Sequence, residues 1–94
     1  MSEIEQAGAI ELLRLLNYDY DLPGDFVIQQ IVIRDALKKL NQDLPGESLI
    51  VQFRYIHDYS QDEIARFLDI NQATVSRKLN KGIEELNKLL EEEV

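Results

Sequence analysis

Apolar residues recur along the chain at the spacing of helix faces. Ala9, Leu12, Leu13 and Leu16 fall at i, i+3, i+4 and i+7, which predicts a first helix over residues 3–17. The polar run NYDYDLPGD that follows should stop it. Ile33, Ala36, Leu37 and Leu40 repeat the spacing and predict a second helix over 26–41. Its opening, FVIQQIVI, is β-branched enough to suit a strand, but the pattern runs into RDALKKL without a break. A third helix is expected over 48–57, carrying Leu49, Ile50, Phe53 and Ile56. DLPGD at 21–25 and DLPGE at 43–47 each precede a helix. Proline presets φ, glycine accepts a positive φ, and the acid suits a helix N-terminus. Their flanks do not match, so they read as one turn chemistry used twice rather than as an internal repeat.

The stretch SQDE at 60–63 fits a capping box, so a helix should begin at Gln61. Ile64, Ala65 and Leu68 form its inner side. The run DIN at 69–71 then interrupts the period, which restarts with Val75, Leu79, Ile83, Leu86 and Leu90 behind Asn71, a good N-cap. Two helices joined by a short turn, with a small alanine where they cross, make a helix-turn-helix. The expected fold is therefore all-α: a small bundle of about five helices ending in a helix-turn-helix. An N-terminal helical pair (1–43) and the helix-turn-helix part (44–94) are expected to form one compact unit.

Composition narrows the function classes. At 94 residues the chain supports one domain with a thin core. It has no cysteine, which removes disulfides, thiolate metal sites and thiol catalysis and suits a reducing compartment. The start, MSEIEQ, is acidic where a signal peptide is basic, and no apolar run is long enough to span a membrane, so the expected location is the cytoplasm. The net charge of -8 is unevenly placed: residues 1–59 hold ten acids and five bases, 60–90 five of each, and 91–94 three glutamates. Bulk attraction to nucleic acid is disfavoured. Any DNA contact must be local.

One segment has that local character. INQATVSRKLNKG, residues 70–82, carries Arg77, Lys78 and Lys81 and no acid. On a helical wheel with Leu79 and Leu86 inward, Thr74, Arg77 and Lys81 share the opposite face, flanked by Lys78 and Asn80. Gln72 and Ala73 fall in the first turn, where a recognition helix meets base edges, and Ser76 lies to one side. Arginine reads guanine bidentately, glutamine reads adenine, and threonine, serine and lysine suit phosphates or bases. A solvated face with incidental lysines is the plainer account of these charges taken alone. Combined with the capping box, the alanine and the short turn, they favour DNA.

From residue 33 to about 90 the chain resembles the fourth conserved region of bacterial sigma factors of the sigma-70 family. The resemblance rests on LP at 44–45, RY at 54–55, SQDEIA at 60–65 and TVSRKL at 74–79, followed by a leucine-bearing helix. It implies a domain whose last helix recognises promoter DNA and which docks on the flap of the RNA polymerase β subunit. By similarity, Thr74, Ser76, Arg77 and Lys78 are the DNA-contacting positions. Asp69 stands where the family often has a turn glycine, a place aspartate tolerates. The LP-to-RY segment is about one residue short and lacks the arginines common there. No segment resembles the sigma region that binds the polymerase clamp and melts the promoter, so the expectation is a regulator rather than a complete sigma factor.

Other chemistry is weak. His57 beside Asp58 reads as a histidine placed at a helix C-terminus by the dipole, so no enzyme is expected. Asp19, Asp21, Gly24 and Asp25 loosely follow a calcium loop, but Pro23 takes a ligand position and Gln30 stands where a bidentate glutamate is needed. No metal or cofactor is expected. Two functions stay open. One is a sequence-specific regulator binding promoter-like double-stranded DNA with RNA polymerase, as a homodimer or with a partner subunit. The other is an RNA polymerase-binding adaptor, co-activator or inhibitor, without independent DNA binding. Ile28, Ile31 and Val32 add apolar surface beyond the main stripe of the second helix, to be covered by the first helix or by a partner.

Overall fold

The computed structural model describes residues 3–17 and 24–93, and every regular element among them is helical. The helices are α1 (Glu3–Arg14), α2 (Gly24–Asp43), α3 (Pro45–Tyr55), α4 (Gln61–Leu68) and α5 (Gln72–Glu93). This is the all-α architecture that the apolar spacing predicts. The bounds differ in places. α1 is interrupted at Gly8 (φ 71, ψ 171), a conformation that only glycine takes without strain, and gives way to a single 3-10 turn at Leu15–Asn17. α3 begins at Pro45 rather than at 48, because proline at the first helical position has φ preset and needs no N–H partner. It also ends at Tyr55 rather than 57. Most of the stop signal after the first helix, the Leu-Pro of the first LPG turn, and Asp19 and Asp21 of the calcium-like stretch fall within 18–23, outside the described residues.

α5 is the axis of the bundle and packs against each of the other four helices. One apolar cluster runs through it. Ala9, Leu12 and Leu13 of α1, Ile33, Ala36, Leu37 and Leu40 of α2, Ile50 and Val51 of α3, and Ile64 and Ala65 of α4 meet Val75, Leu79, Leu86, Leu89 and Leu90. Full burial of one such leucine, isoleucine or valine is worth roughly 1.5–3 kcal/mol. Of the apolar residues of α3, Leu49 is 42% exposed, while Ile50 and Val51 are buried and Ser48 is enclosed. α3 meets α5 through the side bearing Glu47 and Val51, and at about 100° per residue Leu49 then falls on the outer side. The hydroxyl of Ser48 accepts a hydrogen bond from Gln52 Nε2 at 3.1 Å, which satisfies it inside the core.

The N-terminal helices are tied to this frame by polar as well as apolar contacts. The Ala9 N–H, freed by the break at Gly8, donates to Asn87 Oδ1 of α5 at 3.0 Å. Gln30 Nε2 of α2 donates to the Leu15 carbonyl at 2.6 Å, closing the 3-10 turn. Of the extra apolar residues of α2, Val32 packs against the core, whereas Ile28 and Ile31 stay more than half exposed, so the first helix does not cover them. No helix among the described residues is long and apolar enough to cross a membrane.

Candidate nucleic-acid interface

The helix-turn-helix is fixed by backbone chemistry at three places. Ser60 Oγ accepts the Glu63 N–H at 3.1 Å and Glu63 Oε1 accepts the Ser60 N–H at 3.0 Å, the reciprocal capping box expected from SQDE. The Ser60 N–H, then its hydroxyl, holds the Glu63 carboxyl below the usual glutamate range. At the other end of α4, Asp69 takes the left-handed conformation (φ 55, ψ 46). The Ile70 N–H reaches back to the Ala65 carbonyl (3.0 Å) and the Asp69 N–H to that of Arg66 (3.4 Å), the two bonds of a Schellman closure. Asn71 then caps α5, its Oδ1 accepting the Thr74 N–H at 2.8 Å. Ala65, nearly buried, is the small residue at the α4–α5 packing.

This frame sets the first half of α5 on the surface. Gln72 and Ala73 are exposed in its opening turn, Ser76 is half-buried, and Arg77 and Lys81 are exposed. Thr74, Arg77, Lys78 and Lys81 line one cleft of about 220 Å³. Arg77 Nη2 donates to Thr74 Oγ1 at 3.2 Å, a pairing along the same face. Gln72 lies apart from them, beside Asp62, Arg66 and Asp69 on the α4 side of the turn. The structure therefore gathers four of the seven sequence-derived positions around one opening and leaves Gln72, Ala73 and Ser76 outside it.

The fifth residue of that cleft was not legible as a site residue. Glu47, read from the sequence only as an acid suited to a helix N-terminus, lies in the first turn of α3 and enters the cleft wall. Its Oε1 accepts from Lys78 Nζ at 3.2 Å, and its side chain is only 11% exposed against 42% for the lysine. The 70–82 segment is free of acid along the chain but not in space. No local signal links Glu47 to Lys78; the contact exists because Gly82 lets the two helices approach closely. Among the described residues, no carboxylate engages Arg77 or Lys81.

The end of α3 gives the plain reading of its histidine. His57 is exposed past the helix, its N–H bonded to the Gln52 carbonyl at 3.1 Å and its ring 6.3 Å from that of Phe53. Asp58 is left-handed (φ 61) and pairs with Arg54 at 3.6 Å.

A capped helix, a left-handed turn and an exposed second helix define the class as helix-turn-helix. The family model described as sigma-70, region 4 matches residues 36–88, and the chain belongs to that family. It is a helix-turn-helix family of DNA-binding transcription domains that work with RNA polymerase, not a family of enzymes. No curated protein and no solved structure matches the chain.

Proposed function

We propose that this protein is a sequence-specific transcription regulator that works in the cytoplasm, offers α5 to promoter-like double-stranded DNA, and binds it usefully only while held on RNA polymerase or a partner subunit. The observation that carries the reading is the convergence of Thr74, Arg77, Lys78 and Lys81 on one open cleft of a region-4 helix-turn-helix. In this reading Gln72, Ala73 and Arg77 face base edges, Thr74, Ser76 and Lys81 lie along the backbone, and Lys78 flanks them in its pair with Glu47. The net charge of -8 accounts for the dependence on a tether, because the rest of the molecule repels phosphate and the local face must overcome it. The test is duplex binding by selected sequences in the presence of core polymerase. Arg77→Ala should reduce discrimination between sequences, and Lys81→Ala should weaken all of them alike and flatten the salt dependence by about one unit of slope. Unchanged binding and regulation by both variants would remove DNA contact from the reading.

A second reading, an adaptor that binds polymerase without touching DNA, is favoured by one observation: Ile28 and Ile31 are exposed on α2, at 59% and 52%. Polar substitution of both would abolish the adaptor's binding to polymerase and leave the α5 face untouched.

A further inference from the structure

Glu47 does more than complement a helix dipole. An acid in the first turn of α3 is favoured by the N-terminus whichever way its carboxylate points, and a solvated position would serve. Instead the side chain is nearly buried in the wall of the α5 cleft, 3.2 Å from Lys78 Nζ. One glycine shapes this contact. A Cβ on Gly82 would lie 3.3 Å from the Glu47 carbonyl oxygen and 3.4 Å from its Cβ, so a glycine there lets α3 settle against α5. A Cβ on Gly46 would lie 3.8 Å from the Lys78 Nζ, so the lysine tip rests beside the helix start. Arg77 and Lys81, on the same cleft, have no such carboxylate among the described residues.

We propose that Glu47 sets the selectivity of the DNA face by holding Lys78 in an internal ion pair, so that this lysine is withheld from the phosphate-contacting set. The inference rests on the reading of α5 as the DNA-binding helix and deepens it. A phosphate reaching Lys78 must compete with a carboxylate already in contact and is repelled by it. Backbone attraction then comes from Lys81, with Arg77 left to the base edges, and non-specific affinity is held down. Because backbone attraction is shared by all sequences and base contacts are not, withholding one cation raises the ratio of specific to non-specific binding. Glu47 is a positioning residue here: it acts through Lys78 and need not touch DNA.

The experiment measures fluorescence anisotropy of a short mixed-sequence duplex with the full chain, between about 50 and 200 mM salt. The variants are Glu47→Gln, the double Glu47→Gln/Lys78→Gln, and Lys81→Ala, each checked for folding by circular dichroism. With Lys78 withheld, Glu47→Gln steepens the salt slope by about one unit and tightens binding roughly five- to tenfold at about 100 mM salt. The double variant returns to the wild-type slope. A salt slope in Glu47→Gln equal to wild type, with the double variant flatter than wild type by about one unit, means Lys78 already meets phosphate and overturns the proposal. A double variant flatter than wild type overturns the proposal even if Glu47→Gln alone folds poorly. Lys81→Ala separates the two claims. If it leaves duplex binding unchanged while Glu47→Gln raises it, the withheld lysine stands and the assignment of the face around Lys81 fails. If Glu47→Gln binds the duplex no more tightly than wild type, no lysine was withheld and the proposal falls, while the polymerase-dependent reading of α5 stands or falls by its own test with core polymerase.

Discussion

Where α3 crosses α5, a Cβ added to Gly82 would lie 2.6 Å from Val51 Cγ2 and 3.3 Å from the Glu47 carbonyl oxygen. The valine is fully buried and β-branched, so it has one dominant rotamer in a helix and cannot swing aside, and the carbonyl belongs to the backbone. Alanine would add about 1 kcal/mol of helix propensity, but overpacking of a close crossing costs about 1–3 kcal/mol. Gly82→Ala should therefore destabilise the protein by about 1 kcal/mol in urea unfolding. In a Val51→Ala background the sign should reverse, because the added methyl then enters the space the valine left. The same sign in both backgrounds would mean that the crossing is not what selects glycine. From the sequence, Gly82 shows only as a weak helix residue between Lys81 and Ile83. Its reason lies on another helix, as does the reason for Glu47, and neither reason has a local trace.

At the scale of elements, the legible parts were those whose chemistry is contained within a few consecutive residues. SQDE announced the start of α4 because both halves of its capping box lie within one turn. Asn71 announced α5 for the same reason, and Asp69 is one of the few residue types that tolerate the left-handed turn. The inner face of α3 is less legible, because its apolar residues fit more than one inward stripe and contact with α5 selects the one with Ile50 and Val51 buried and Leu49 exposed. α4 has 8 residues, too few to be stable alone, so its caps matter: Ser60→Ala should lower stability by about 1 kcal/mol. The capping glutamate adds a pH dependence of known sign. Its folded pKa lies below the unfolded value, so the stability it contributes is fully present above about 4.3 and is lost as pH falls through the folded value. Glu63→Gln keeps an acceptor for the Ser60 N–H but does not titrate. Urea unfolding across pH should show the variant parallel to wild type near neutrality and shallower than wild type in acid. Identical acid slopes would mean that the Glu63 bond contributes nothing in solution.

At the scale of the molecule, the family match begins at residue 36, inside α2, yet the core does not begin there. Ala9, Leu12 and Leu13 of α1 are buried in the same cluster as Leu86, Leu89 and Leu90 near the far end of α5. The break at Gly8 turns the Ala9 N–H onto Asn87, so α1 is fastened to α5 at a fixed register as well as greased against it. Two fully buried leucines are worth about 3–6 kcal/mol as an upper estimate, a large share of the roughly 5–15 kcal/mol that holds a domain folded. Deleting residues 1–17 should thus lower the melting temperature sharply and leave apolar surface on the rear of α5 that promotes association. Asn87→Ala should lower it only slightly, since one exchanged hydrogen bond is worth about 1 kcal/mol. The cleft proposed to meet DNA lies on the opposite half of α5, ahead of Gly82, and its frame is made by α3 and α4. At a temperature where the truncated chain is still folded, it should therefore bind duplex as the full chain does. A truncated chain that melts like the full one would show that α1 adds no stability. One that stays folded but loses DNA affinity would show that the N-terminal helices act on the recognition helix directly.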